Sequence, residues 1–403
     1  MSISTDLGSI FDPLIPPTGT QITGFKSGDT DLGALFKPYT GGDKAQLTNY
    51  KVNGTDLNEY FNPQPQQTWI QQGPPRFWSN ITSSSDGSFL AATADVNSIY
   101  ISTDSGINWN QTSSGTNDWT GIACSSTGQY IVATTLDEKL YVSANNGSSW
   151  SNAADERFWS GCTVDSTGKY MAAISNSRPY TTTANLGDYV YTSDNFGVTW
   201  TAQLNSGLRN WTSITSDSSG QYLAATSQDD YSNPSAIFDY IYTSDDYGYT
   251  WTQRTASGSR IWSCIASSSD GSKLVASAMF DGVYISTDYG ATWSKTNTND
   301  NQSDDEWSYV TSSSDGTIFL ASTGNSVEKG FIYYSTDSGN TWIKQTNAGF
   351  RFWGGLASSS DGLKLAATDY GTFRLMNPIF GYIYLCSAIP SATIVTGFKV
   401  KNQ

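Results

Sequence analysis

A tryptophan followed nine residues later by a glycine occurs seven times along this chain of 403 residues. The seven pairs are Trp78 and Gly87, Trp119 and Gly128, Trp159 and Gly168, Trp211 and Gly220, Trp262 and Gly271, Trp307 and Gly316, and Trp353 and Gly362. Repeats of this period are typical of propellers and solenoids. Within each repeat, alternating β-rich runs broken by turn residues predict four antiparallel strands, A to D. The repeat therefore predicts an all-β fold, a seven-bladed β-propeller of four-stranded antiparallel blades.

Ring closure is predicted from the first and last repeats. Strand C of every repeat carries an aliphatic residue followed by tyrosine, from Ile99-Tyr100 in the first to Ile383-Tyr384 in the seventh. The seventh repeat has no recognisable strand D, whereas Trp69 stands nine residues before the first strand-A tryptophan. We expect the segment near Trp69 to supply the outer strand of blade seven, because an open ring would leave an unpaired strand edge.

A short motif, Ser-x-Asp-x-Gly-x-x-Trp, joins strands C and D in six repeats. Asn replaces Asp in two of them, and the six copies are Ser102–Trp109, Ser143–Trp150, Ser193–Trp200, Ser244–Trp251, Ser286–Trp293 and Ser335–Trp342. The motif resembles the Asp-box, or BNR, repeat of sialidase-like propellers. A short Asp or Asn side chain accepts N–H bonds in a turn, and glycine adopts positive φ there. We therefore interpret the box aspartates as structural, not as metal ligands or catalysts.

Composition excludes several classes of function. The 36 acidic and 21 basic residues give a net charge of −15, which disfavours binding to nucleic acid or to an anionic membrane surface. The chain has no histidine, the commonest general base and metal ligand. Its four cysteines occupy unrelated repeat positions. We predict no cofactor, no metal site and no catalytic residue. The chain has no apolar run of about 18 residues, so we expect no membrane insertion; its start, Met1 to Leu14, lacks a basic region followed by an apolar run, so we expect no amino-terminal signal.

Candidate ligand-binding residues lie in the long B–C loops of blades three, four and seven. Variable loops on a rigid scaffold are a usual place for recognition. The aromatic and arginine residues of these loops are Arg178, Tyr180, Tyr231, Phe238, Phe373 and Arg374.

Five further arginines each stand two residues before a strand-A tryptophan, and they are Arg76, Arg157, Arg209, Arg260 and Arg351. One interpretation is a glycan or carboxylate site built from guanidinium groups and aromatic rings. The other is structural: each arginine pairs with a neighbouring blade's carboxylate or stacks on its own tryptophan. Placement in nearly every repeat favours the structural interpretation.

A second, unrelated repeat of 25 residues precedes the propeller. It reads Thr-Asp-Leu-x-x-x-Phe, beginning at Thr5, Thr30 and Thr55, and a one-turn helix starting at Thr-Asp-Leu is expected. Its lead-in Thr23-Gly-Phe-Lys26 returns at the end of the chain as Thr396-Gly-Phe-Lys399. Domain boundaries are therefore placed at residues 1–65, 66–386 and 387–403. The apolar residues predicted to mediate assembly are Leu7, Phe11, Leu32, Phe36, Leu57, Phe61 and Phe398.

The split terminal repeat allows two arrangements. Either the two ends meet within one molecule, or the tail of one subunit completes the array of the next, which would give a homo-oligomeric assembly. The amino-terminal repeat is also similar to segments of structural proteins of large DNA viruses. That resemblance implies a virion or extracellular surface location.

Three functions follow from these features. The leading one is a non-enzymatic structural or attachment protein that self-assembles through its terminal repeats and displays a propeller. The alternatives are a glycan-binding lectin using the variable face and a sialidase-like glycoside hydrolase. The hydrolase is disfavoured because no tyrosine and glutamate signature of that family is recognisable, while the arginines occupy equivalent repeat positions.

Overall fold

The computed structural model describes residues 67–136, 139–176, 187–228, 238–298, 306–372 and 379–387, and two short strand pairs nearer the amino terminus. The chain divides into two units, one of residues 65–390 and one of residues 1–64 with 391–403. Within the described part of the chain, no helical segment has the length and apolarity needed to cross a bilayer.

The larger unit is a seven-bladed β-propeller, as the repeat predicts. In chain order, the strands A to D of blades one to three are Trp78–Ser83, Leu90–Ala94, Ile99–Ser102 and Asn110–Gln111; Trp119–Cys124, Ile131–Thr135, Tyr141–Ser143 and Ser151–Asn152; and Phe158–Val164, Met171–Asn176, Val190–Ser193 and Thr201–Gln203. Those of blades four to six are Trp211–Ser216, Leu223–Ser227, Ile241–Ser244 and Thr252–Arg254; Trp262–Ser267, Leu274–Ala278, Gly282–Ser286 and Ser294–Lys295; and Trp307–Ser312, Phe319–Thr323, Ile332–Ser335 and Ile343–Gln345. Each blade is an antiparallel meander in this order.

Blade seven is completed from the other end of the propeller sequence. Its strands A to C are Trp353–Ser358, Lys364–Asp369 and Ile379–Ser387, with a two-residue strand Gly371–Thr372 beside the third. Trp69–Arg76 pairs antiparallel with the third strand, and the register places Trp69 opposite Cys386 and Arg76 opposite Gly381. Both ends of the propeller sequence therefore share one sheet.

The only helical elements in the described residues are three single 3₁₀ turns between strands D and A, at Leu204–Ser206, Thr255–Ser257 and Thr346–Ala348.

Because the blades are meanders, the A–B hairpins and Asp boxes lie together on one face, which we call the box face. The B–C and D–A connections lie on the opposite face, which we call the loop face.

Seven backbone hydrogen bonds link the A–B hairpins around the box face. In each, the N–H of one hairpin serine donates to the equivalent serine carbonyl of the next blade, over 2.7–3.0 Å. The circle runs Ser85, Ser126, Ser166, Ser218, Ser269, Ser314, Ser360 and back to Ser85. Blade seven is thus joined to blade one by the same bond that joins all other neighbours.

The core consists of the strand-A tryptophans, the strand-C tyrosines and the aliphatic residues between sheets. Trp78, Trp159, Trp211, Trp262 and Trp353 are completely buried. Each strand-A indole packs on the strand-C tyrosine of its own blade, mostly edge to face, as for Trp211 and Tyr242 with ring centroids 5.4 Å apart. The Trp-to-Gly spacing therefore places a large anchor at one end of strand A and a tight turn at the other.

The amino-terminal repeat contains hairpins where a helix was expected, and that expectation was wrong. Lys26–Ser27 pairs with Thr30–Asp31, and Lys51–Val52 pairs with Thr55–Asp56. The Thr-Asp pairs at Thr30 and Thr55 are thus each the second strand of a two-residue ladder, whereas the first copy, at Thr5, lies outside the described residues. In the second hairpin the intervening dipeptide is Asn53-Gly54, a strong hairpin signal that overrides the capping tendency of Thr-Asp.

Candidate functional site

The five arginines that stand two residues before a strand-A tryptophan, which we call the arginine row, lie on the loop face at the start of the strand-A segments. They are Arg76, Arg157, Arg209, Arg260 and Arg351. The guanidinium carbons of Arg157, Arg209, Arg260 and Arg351 lie 4.1–4.6 Å from the ring centroid of the strand-C tyrosine in their own blade. Arg76 is farther from its tyrosine ring, at 5.5 Å, and its Nε donates to the Tyr100 hydroxyl over 3.1 Å. Each of the five guanidinium groups therefore contacts the aromatic stack of its own blade.

Carboxylates pair with four of these arginines. Arg157 Nη1 lies 3.0 Å from Asp188 Oδ2, and Arg260 Nε lies 2.7 Å from Asp281 Oδ2. Arg209 and Arg351 lie 3.6 Å from Asp239 and Asp369. All four aspartates belong to the same blade as their arginine, where the sequence suggested a carboxylate of a neighbouring blade. The difference arises because the end of strand B and the B–C connection of each blade lie beside the start of its own strand A, and Asp369 is the last residue of its strand B.

The same aspartates accept hydrogen bonds from strand-C tyrosines. The hydroxyls of Tyr191, Tyr242 and Tyr284 donate to Asp188, Asp239 and Asp281 over 2.9–3.0 Å. Burial, reinforced by the adjacent carboxylate, raises the pKa of each of these hydroxyls above its usual range. A raised pKa disfavours the phenolate form that a tyrosine nucleophile requires.

Backbone pairing connects these clusters from blade to blade. Asp188 forms a two-way backbone bridge with Arg209, and Asp239 forms an isolated bridge with Arg260. The Arg209 side chain meanwhile reaches Asp239. Blades three, four and five are thus linked by alternating side-chain and backbone contacts, which favour the structural interpretation of these arginines.

Most loop residues predicted to bind ligand fall outside the described residues, namely Arg178, Tyr180, Tyr231, Phe373 and Arg374. Phe238 is described: it borders the B–C loop of blade four, its side chain is exposed, and its carbonyl accepts a hydrogen bond from the Ser259 hydroxyl. The predicted assembly residues Leu7, Phe11, Leu32, Phe36, Leu57, Phe61 and Phe398 also lie outside the described residues.

Two aspartates on the loop face, one in blade one and one at the start of blade two, interact electrostatically. Asp95 follows strand B of blade one, and Asp118 directly precedes the strand-A tryptophan of blade two. Desolvation, together with the Asp118 charge, raises the pKa of Asp95. Nearby in the ring, the hydroxyls of Tyr309 and Tyr370 lie 3.3 Å apart, and burial raises the pKa of both. No spacing in the sequence identifies Asp95 and Asp118 as a pair.

The Asp boxes hold their own turns. In the first, Asp104 Oδ1 accepts the Asn108 N–H over 2.9 Å, and the Trp109 indole donates to the Gly106 carbonyl. In the second, Asn145 Oδ1 accepts the Ser149 N–H over the same distance. A neutral amide therefore replaces the carboxylate without loss of the turn. In the described part of the chain, no cluster of acidic or thiol groups is arranged to hold a metal ion.

The box face carries an aromatic surface that the sequence did not reveal. At three successive blade interfaces, the residue before strand B packs on the central residue of the next blade's Asp box. The pairs are Tyr130 with Phe196, Tyr170 with Tyr247, and Tyr222 with Tyr289, with ring centroids 4.5–4.9 Å apart. We call these six residues the aromatic arc. Phe196 and Tyr289 are exposed and the other four residues are partly exposed, and contiguous apolar surface of this kind marks interaction sites.

A small cleft opens beside the middle pair of the aromatic arc. It lies between blades three and four, has a volume of about 80 Å³, and is lined by Tyr170, Tyr247 and Tyr249 together with Asp194 and Thr199. The Tyr249 side chain is 53% exposed. Lys169 Nζ lies 4.5 Å from the Tyr170 ring centroid and donates to the Tyr170 hydroxyl.

Comparisons with known proteins support the fold. Residues 239–364 match the family model Sortilin-Vps10, described as sortilin, neurotensin receptor 3. This match spans parts of blades four to seven. No curated protein sequence is significantly similar to the chain.

Solved structures of several functional classes are similar in architecture. "YCF48 bound to D1 peptide" is 12% identical, with a TM-score of 0.56, covering 82% of this chain and 97% of that one. The GH74 enzyme of Niastella koreensis is 16% identical, with a TM-score of 0.57, covering 82% of this chain and 55% of that one. The Cps50 (Swd1) propeller domain of Myceliophteria thermophila is 12% identical, with a TM-score of 0.57, covering 80% and 99%. At these identities the likeness is one of fold, and the propeller is common to an enzyme and to other proteins.

Proposed function

We propose that this chain is a non-enzymatic attachment or structural protein whose rigid propeller presents binding surfaces. The observation that carries the proposal is that the guanidinium groups of the arginine row already contact side chains of the protein. A sialidase-like hydrolase needs guanidinium groups that are available to a substrate carboxylate. In four blades the guanidinium contacts an aspartate and a tyrosine of its own blade, as for Arg260, Asp281 and Tyr284.

A fluorogenic glycosidase panel with sialosides and neutral glycosides tests the proposal. We expect no turnover by the full chain at any pH at which it stays folded. Turnover that disappears in an Asp95→Asn variant, with unchanged thermal stability, would contradict the proposal and assign catalysis to the Asp95 and Asp118 pair. A glycan array on the same preparation tests the lectin alternative, in which the long B–C loops bind sugar.

Related propellers offer precedents for binding without catalysis. The YCF48 structure is described as bound to a peptide, whereas the Niastella koreensis protein is described as an enzyme. The contacts of the arginine row favour the first kind of function for this chain.

Self-association through the terminal repeats is the second part of the proposal. It is supported by the recurrence of Thr-Gly-Phe-Lys near both ends of the chain. Mass photometry of the full chain and of a variant lacking residues 391–403 tests it. We expect multimers that the deletion abolishes, and an unchanged mass distribution would contradict this part. The resemblance to viral structural proteins supports a virion or extracellular surface as the place of assembly.

A further inference from the structure

We infer that the cleft beside Tyr247 on the box face binds a lysine or arginine side chain of a basic peptide segment, with the aromatic arc contacting the flanking peptide. This inference rests on the proposed binding role and names its partner. Tyr170 and Tyr249 line the cleft for stacking and Asp194 lines it for charge, while the exposed Asp245 stands two residues before Tyr247 in the same Asp box.

The first argument is that the propeller does not need these aromatic residues. At two other blade interfaces the same two positions are lysine and serine. Lys273 Nζ lies 3.4 Å from Ser338 Oγ, and Lys364 Nζ lies 3.3 Å from Ser105 Oγ. Those interfaces are closed by the same hairpin-to-hairpin backbone bonds as the others. Aromatic pairs at three neighbouring interfaces are therefore a property of this surface and not of the blade repeat.

The second argument is charge. Asp194 and Asp245 occupy the second position of their Asp boxes and are exposed, where blades one and five have Thr103 and Thr287. The chain as a whole carries a net charge of −15. An acidic partner is repelled by this surface, and a basic one is attracted.

The third argument is the geometry of a cation already at the surface. The Lys169 ammonium lies over the Tyr170 ring at 4.5 Å, a distance typical of cation–π contacts. Among the described contacts no cation lies over the rings of Tyr247 and Tyr249, which line the cleft together with the exposed Asp194; the Lys169 ammonium is close enough to interact with Tyr247 and Asp194 from its position beside Tyr170. Tyrosine faces next to carboxylates recognise guanidinium and ammonium groups.

The fourth argument is size. The cleft of about 80 Å³ is well below the roughly 300–1,000 Å³ of small-molecule sites. A cleft of this size takes the charged end of one side chain rather than a whole small molecule. The pairs Tyr130 with Phe196 and Tyr222 with Tyr289 continue the aromatic surface on both sides, which suits a linear segment lying across three blades.

The test measures fluorescence anisotropy of the full chain with a short labelled peptide in which arginine alternates with serine. Matched peptides carry glutamine or glutamate in place of arginine. We expect saturable binding of the arginine peptide that weakens at high salt. No binding of that peptide, or equal binding of the glutamine or glutamate peptide, would overturn the inference.

The repeats supply variants that are expected to fold. The double substitution Tyr247→Asn and Tyr249→Ser copies Asn146 and Ser148, the residues at these positions in blade two. We expect it to weaken binding about tenfold or more, the effect of losing roughly 1.4 kcal/mol of cation–π contact. The matched control, Ser105→Asn with Ile107→Ser, introduces the same two residues at the equivalent positions of blade one and should leave binding unchanged. Equal affinity of the two double variants would refute the assigned site.

A second double substitution tests the contribution of the two carboxylates to binding. Asp194→Thr with Asp245→Thr copies Thr103 and Thr287, and it should weaken binding and flatten its salt dependence. Unaltered salt dependence would count against the inference even if the tyrosine variant misfolds. Turnover in the glycosidase panel would instead contradict the proposed non-enzymatic function, so the two failures are distinguishable.

Discussion

The guanidinium carbon of Arg209 lies 4.1 Å from the ring centroid of Tyr242. The same tyrosine packs edge to face on the buried Trp211. We expect Arg209→Met to lower the free energy of unfolding by about 1 kcal/mol, because it removes a half-exposed cation–π contact and the Asp239 ion pair. Urea denaturation followed by tryptophan fluorescence measures the change. A variant with unchanged stability that loses glycan binding on an array would contradict the structural role of this arginine row.

The joint between blades seven and one is tightly packed at Gly355. A Cβ atom there would lie 2.9 Å from the Asn80 Cα and from the Ile81 nitrogen, which are backbone atoms that cannot move aside. We expect Gly355→Ala to destabilise the protein by about 1–3 kcal/mol, the usual cost of overpacking. Thermal unfolding measures it.

Gly161 is the matched control, because it also stands two residues after a strand-A tryptophan. Its added Cβ would lie 3.4 Å from the Ile174 Cδ1, an ordinary contact. Gly161→Ala should therefore change the melting temperature much less than Gly355→Ala. Equal shifts would show that the joint is not specially constrained.

The turn carboxylates predict a specific loss of stability in acid. Hydrogen bonds from the Ser84 hydroxyl and the Ser88 N–H lower the pKa of Asp86 to about 2, from an ordinary value of 3.8. The Asn108 N–H lowers the pKa of Asp104 in the first Asp box. The pKa is also lowered at Asp246, Asp270, Asp288, Asp315, Asp337 and Asp361.

Since these groups have a lower pKa in the folded state, the unfolded chain binds more protons as the pH falls. The contribution of these carboxylates to the free energy of unfolding is complete above about pH 4 and is lost progressively towards pH 2. Urea midpoints measured through this range should fall steeply. Asp104→Asn should make the slope shallower, since Asn145 forms the same turn in blade two. A midpoint that is independent of pH below 4 would contradict the prediction.

Val96 is a site of local strain in the B–C turn of blade one. Its φ is 47°, a conformation that β-branched residues rarely adopt, and its side chain is 67% exposed. Val96→Asn should raise the free energy of unfolding by about 1 kcal/mol, because asparagine tolerates this conformation and little packing is lost. Calorimetry measures the gain, and a destabilised variant would show that the valine makes contacts worth more than the strain.

The propeller follows from local signals that repeat, which is why the sequence predicts it well. Each Trp-to-Gly interval spans one strand and one turn, and the position of Trp69 predicts the strand that pairs with Cys386. The aromatic arc was not predictable in this way. Tyr170 and Tyr247 belong to different repeats and meet only because the ring brings a hairpin of one blade against the Asp box of the next.

The contacts of the arginine row were only partly accessible from sequence. The spacing before each tryptophan identifies the arginines, but three of their four aspartate partners stand in B–C connections of unequal length. Asp188 follows a long insertion and Asp281 a tight turn, yet both reach the equivalent position beside their arginine. Loops of different length therefore place an aspartate in the same position beside the arginine, and the loop lengths in the sequence do not predict this.

The circle of serine backbone bonds on the box face has no first or last member. Its donors and acceptors are main-chain groups, so the side chains of neighbouring turns are free to diverge without loosening the ring. For the same reason, opening the chain at a different connection between strands would change the order of the strands in the sequence but not the packing of the blades. A circular permutant that joins the two strand segments of blade seven and opens another D–A connection should assemble the same seven blades.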